Sequence, residues 1–134
     1  MERLSFDLAV CKTFEGCKIN YGIKDGNDKI VFIKSGAGGN CRGSKNKYLK
    51  IAHRLHQKHG FTVICGSNPL DCSEHPHIDE AVILAYAQSK GFADYTLYLM
   101  GSSDGGYQVV QLAKQKKIMH PLQKLWMMLQ KKWV

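Results

Sequence analysis

Three features of the sequence predict an α/β fold. Short apolar runs rich in β-branched and aromatic residues recur at residues 29–34 (KIVFIK), 61–65 (FTVIC) and 95–100 (YTLYLM). Stretches whose apolar residues keep helical spacing separate them. Each run also ends in a turn carrying glycine or proline. Strands spaced by helices imply right-handed β-α-β crossovers, hence a mainly parallel sheet with helices on both faces.

The first part, to about residue 33, alternates and turns like a β-meander. Residues 4–14 and 18–23 read as two strands, and Lys24-Asp25-Gly26-Asn27-Asp28 as the turn into the third, 29–34. That strand ends in Ser35-Gly36-Ala37-Gly38-Gly39. Ser44 is the expected N-cap of a helix, in which Tyr48, Ile51, Ala52 and Leu55 keep helical spacing and Gly60 closes the end. The strand at 61–65 runs into Gly66-Ser67-Asn68-Pro69, and a polar loop leads to a second helix at about 78–89. Asp79 and Glu80 fall in its first turn, where the helix dipole favours acids, and Gly91 ends it. The strand at 95–100 meets Gly101-Ser102-Ser103-Asp104-Gly105-Gly106, and a helix-like stretch, 107–117, follows.

Composition narrows the class. With 44% apolar and 22% charged residues, the 134-residue chain is an ordinary globular protein. No apolar run approaches the length of about 20 residues that a membrane span needs, and the N-terminus lacks a signal-peptide pattern. Five cysteines without a C-x-x-C pair read as reduced thiols, so a cytoplasmic location is expected. The net charge of +8 is uneven: from Lys114 onward there are six lysines and no acid. The body is therefore nearly neutral, which argues against a nucleic-acid partner.

The clearest chemistry lies in Gly101-x-Ser103-x-Gly105. Between a strand and a helix, G-x-S-x-G is the sharp turn that lifts a serine off the backbone as a nucleophile. Gly101 and Gly105 flank Ser103 where side chains would clash as the chain doubles back. N–H groups opening the next helix would face the charge that develops on a reacting carbonyl oxygen. The plainer alternative is a glycine-rich connector.

Taken in order, these elements resemble the front half of an α/β-hydrolase. In that family a strand after two N-terminal strands ends in a His-Gly-x-Gly-type loop, a place held here by Ser35-Gly36-Ala37-Gly38-Gly39. A helix, a strand ending near a proline, a second helix and the nucleophile strand follow, here at 45–59, 61–69, 78–89 and 95–103. The resemblance covers roughly residues 4–115. It implies Ser103 as nucleophile, with the backbone N–H groups of Asp104 and Ala37 as oxyanion donors. Ser35 stands where the family's loop opens with His, and Asn68-Pro69-x-Asp71 echoes the family's Asp-x-Pro-Gly-x-Gly turn without its glycines. The family also places an Asp or Glu and then a His downstream. Here no acid follows Asp104, and the only later histidine is His120. The resemblance is thus to a hydrolase truncated after the helix that follows Ser103, with an incomplete triad.

The loop Asp71-Cys72-Ser73-Glu74-His75-Pro76-His77 belongs to the same carboxyl edge of the sheet as Ser103. His75 or His77 could serve there as a substitute base, oriented by Glu74 or Asp71, with His120 a third candidate. The alternative is a solvated loop whose Pro76 starts the helix. Cys72, His75 and His77 lack a fourth ligand for zinc, and no metal or cofactor is expected. Residues 38–45 read G-x-x-x-x-G-S-K, so the lysine of a phosphate-binding loop is displaced. Gly36-x-Gly38 needs a third glycine for a dinucleotide loop and finds Cys41. His53, His56 and His59 read as a solvated helix face.

Residues 1–115 form the expected hydrolase-like domain and 116–134 a basic tail. Leu122, Leu125, Trp126, Leu129 and Trp133 share one helical face, with Lys124, Lys131 and Lys132 off it. That face is expected to cover the sheet, the alternatives being a homodimer or weak contact with a membrane surface through 122–133. The expected function is weak hydrolysis of an ester or thioester in a small-molecule acyl substrate. Two other classes stay open: a catalytically silent binding module, and a nucleotide-binding domain using the first glycine loop.

Overall fold

A computed structural model describes residues 4–115; the amphipathic face expected at 122–133 lies outside the described residues. Along the chain these residues form β1 (Leu8–Phe14), β2 (Cys17–Lys24), β3 (Lys29–Lys34), α1 (Lys47–His59), β4 (Thr62–Gly66), α2 (Pro76–Ser89), β5 (Thr96–Gly101) and α3 (Asp104–Gln115). The strands make one sheet in the order β1-β2-β4-β3-β5. β3 runs parallel to both neighbours, pairing Phe32 with Ile64 of β4 and with Leu99 of β5. β2 is antiparallel to β4, and β1 to β2.

The apolar runs are continuous because both faces of these strands are covered. Successive side chains point to opposite faces, which sorts each run into two cores. Ile30, Phe32, Ile64, Leu97 and Leu99 pack with Val82, Ile83, Val109 and Leu112 of α2 and α3. Val31, Ile33, Val63, Cys65 and Met100 pack with Tyr48 and Ala52 of α1 on the other face. This is the α/β architecture expected, but the expected N-terminal meander stops at the β1–β2 hairpin, because β4 inserts between β2 and β3 and pairs with both.

Element starts shift by two residues or more in four places. β1 begins at Leu8, and ahead of it the Phe6 ring lies against Gly22 of β2 where a side chain would otherwise stand. Ser44 does not cap α1. A 3-10 turn at Ser44–Asn46 precedes it, Lys45 and Asn46 take left-handed φ values, and the Arg42 carbonyl accepts the N–H groups of Tyr48 (2.8 Å) and Leu49 (3.2 Å). α2 starts at Pro76, whose missing N–H costs nothing at a first helical position. α3 starts at Asp104 rather than Tyr107.

Candidate active site at the β5–α3 turn

Ser103 sits between β5 and α3 with φ +54°, a left-handed conformation that non-glycine residues rarely adopt. The turn around it is closed by Gly105 N–H donating to Ser102 O (2.9 Å) and Gly106 N–H to Ser103 O (2.9 Å). It presses so tightly on β3 that a methyl group on Gly105 would lie 2.3 Å from the Lys34 carbonyl oxygen. One on Gly101 would lie 2.3 Å from the Gly105 oxygen. Steric need therefore explains both glycines of the motif. The loop after β3 approaches from the other side: a methyl on Gly36 would stand 3.2 Å from Ser102 O and 3.7 Å from the Ser103 Cβ. Ser103 is exposed, and its hydroxyl bonds to no other described residue.

The two N–H groups singled out in the sequence, at Ala37 and Asp104, donate to no acceptor among the described residues, and both residues are exposed. By contrast, other N–H groups of the first glycine loop are engaged. Gly38 donates to Asn68 O (2.7 Å), Gly39 to Gly36 O (2.8 Å), and Gly43 to the Asn40 side-chain oxygen (2.9 Å). These bonds leave the loop fewer free N–H groups than a phosphate cradle offers. The Asp104 carboxylate accepts from the side-chain amides of Asn68 and Gln108, each at 2.9 Å. Those bonds, Asn68 first, hold its carboxyl below the usual carboxylate range.

His75 lies in a buried ionic cluster, not in a solvated loop. Lys34, at the end of β3, is 0% exposed and places its Nζ 2.7 Å from His75 Nε2 and 3.1 Å from Asp79 Oδ1. The Tyr21 hydroxyl donates to the same Asp79 oxygen. His75 Nδ1 is 2.8 Å from the Ser73 carbonyl, so Nδ1 carries the proton and Nε2 accepts from Lys34. Both ring nitrogens are thereby engaged. Burial, with Lys34 adding, pushes the imidazole below its ordinary value. Burial likewise lowers the Lys34 ammonium, opposed by Asp79, and raises the Tyr21 phenol. Asp79 stands in the first turn of α2, as expected, and is also buried as the acceptor of this cluster.

The remaining sequence candidates disperse. Cys72 Sγ lies 3.7 Å from His75 Nδ1, but His77 is exposed and edge-on to Phe14, with ring centroids 5.0 Å apart. Asp71 is exposed with φ +61°, and Glu74 is exposed. His120 lies outside the described residues. Of the solvated helix face expected in α1, His59 stacks on Phe61, while His56 Nδ1 is 3.2 Å from the Phe61 carbonyl. Sequence reasoning missed Lys34 and Gln108 altogether. A lysine closing an otherwise apolar strand was the one available signal.

The strand order and the serine turn after the fifth strand define an α/β-hydrolase type of fold. Solved structures that share it are hydrolases. Est1E from Butyrivibrio proteoclasticus matches with a TM-score of 0.52 at 18% identity, over 81% of this chain and 46% of its own. Mouse alpha/beta hydrolase domain-containing protein 10 matches at 0.53 and 16%, over 82% and 45%. A soluble variant of the Saccharomyces cerevisiae monoglyceride lipase, solved with a substrate analog, matches at 0.55 and 19%, over 81% and 40%. The chain therefore spans less than half the length of these structures. No protein-family model matches the chain, and no curated protein does.

Proposed function

We propose that the chain is an acyl-transfer site of the serine-hydrolase type, acting on an ester or thioester carbonyl of a small molecule. Ser103 is the nucleophile, and the N–H groups of Ala37 and Asp104 receive the oxyanion. One observation carries this reading: an exposed serine in a left-handed turn, against Gly36, with unpartnered N–H groups on both loops. No histidine hydrogen-bonds to Ser103 among the described residues, so these residues alone support slow chemistry. A serine without its base retains about 10³–10⁴-fold catalysis over water, from the oxyanion hole and binding. The same observation favours a second reading, a silent binding module of hydrolase ancestry.

Incubation of the full chain with a fluorophosphonate, followed by peptide mass analysis, separates the two. Stoichiometric modification of Ser103, lost in Ser103→Ala, supports acyl transfer. A chain that stays unmodified, or is modified elsewhere, supports the silent module. If activated-ester turnover also collapses in His77→Ala, that imidazole reaches the serine.

A further inference from the structure

Asn68, the residue after the β4 turn, is 2% exposed, and every polar group it has is engaged. Its backbone N–H donates to Gly39 O (2.9 Å) and its carbonyl accepts from Gly38 N–H (2.7 Å), so its main chain pairs with the first glycine loop. Its side-chain nitrogen donates in two directions, to the Ser35 carbonyl (3.1 Å) and to Asp104 Oδ2 (2.9 Å). Its side-chain oxygen accepts from Gln108 Nε2 (2.9 Å), and that nitrogen also meets Asp104 Oδ2 (2.9 Å). The polarity of this network is fixed by its members. A carboxylate and a carbonyl can only accept, so the Asn68 NH2 must face both, and its oxygen must face the remaining donor.

One buried amide thus touches the two segments that carry the unpartnered N–H groups, Ser35–Gly39 on one side and the first turn of α3 on the other. No other side chain among the described residues hydrogen-bonds to both. Resting on the hydrolase reading above, we propose that Asn68 is a positioning residue. It fastens the loop after β3 to the Ser103 turn and so sets the spacing between the Ala37 and Asp104 N–H groups. Oxyanion donors act by pre-set geometry, and a displacement of about 1 Å costs about 10²-fold in rate. An asparagine suits this place because it donates twice and accepts once. An aspartate there would lose both donors and set a second carboxylate against Asp104.

The test compares the full chain with Asn68→Ala and Asn68→Asp, by hydrogen exchange and by the rate of Ser103 phosphonylation. Asn68→Ala should speed exchange at both residues 35–39 and residues 102–108 by at least about tenfold, leaving β1–β2 and α1 unchanged. The maximal phosphonylation rate should fall about 10–100-fold with little change in reagent affinity. Asp104→Asn placed on Asn68→Asp restores a donor–acceptor pair across the 68–104 contact. It should recover protection at 102–108 but not at 35–39, because Ser35 still lacks its donor. That split is a signature no general loss of stability would give. If Asn68→Ala does not fold, Asn68→Asp and the double variant carry the same comparison. Unchanged exchange in either segment, or equal loss everywhere, overturns the assignment of Asn68. A wild-type chain that never labels at Ser103 overturns the hydrolase reading instead, and the positioning role with it, whatever the exchange shows.

Discussion

Lys34 ends an apolar strand with an ammonium that has no exposed surface, and the ions around it decide what its loss costs. Asp79 accepts from Lys34 and from Tyr21. Lys34→Met leaves that carboxylate buried without a counter-charge, which typically costs about 3–5 kcal/mol. Adding Asp79→Asn removes the orphaned charge while keeping an acceptor for Tyr21. The double variant should therefore be more stable in urea than Lys34→Met alone, and additivity of the two losses would show that the pair is not coupled. His75 gives the cluster a pH dependence. Its folded value lies below its unfolded 6.5, so in that window the unfolded chain binds more protons. Stability is full above 6.5 and falls as pH drops below it. The urea midpoint should fall between pH 7.5 and 5.5, and fall less in His75→Gln. Equal falls in the two would remove His75 from the account. None of this was legible in the sequence, where His75 read as a loop residue or a base. Its burial depends on Lys34 and Asp79, far apart in the chain and adjacent only once β3 and α2 are packed.

At the level of elements, legibility followed how local the cause is. β3 matched its sequence run to the residue because its ends are set by neighbours in sequence, a turn before it and the glycine loop after it. The Ser103 turn was legible for the same reason. The start of α1 was not, since its first N–H groups bond to the Arg42 carbonyl through a turn held by the Asn40 side chain, which outcompetes Ser44. Gly105 of the turn and Gly36 of the facing loop make graded predictions. Gly105→Ala drives a methyl group to 2.3 Å from the Lys34 oxygen, and should cost at least the about 1–3 kcal/mol typical of overpacking. Gly36→Ala meets its nearest atom at 3.2 Å and should cost clearly less in thermal melts, while slowing phosphonylation of Ser103. Comparable melting losses would mean the turn can relax away from β3. On the opposite face, Leu49 of α1 is 0% exposed, and Leu49→Ala should lose about 2–5 kcal/mol in denaturant titrations.

For the molecule as a whole, the strand order β1-β2-β4-β3-β5 was only partly legible. The alternation of strands and helices implied crossovers and two covered faces. It did not say that β3 would pair with β4 on one side and β5 on the other. That arrangement has a consequence during synthesis. β3 leaves the ribosome early, yet its second neighbour is the last strand described, translated after α1, β4 and α2. At about 5–20 residues per second, the β5-facing edge of β3 waits on the order of several seconds for its partner. Throughout that wait a nascent chain presents an unpaired strand of Ile30, Val31, Phe32 and Ile33 to any other exposed edge nearby. A released fragment ending at Gly91 should therefore bind holdase chaperones that the full chain does not, and a fragment that binds none would show that α2 already shields the edge.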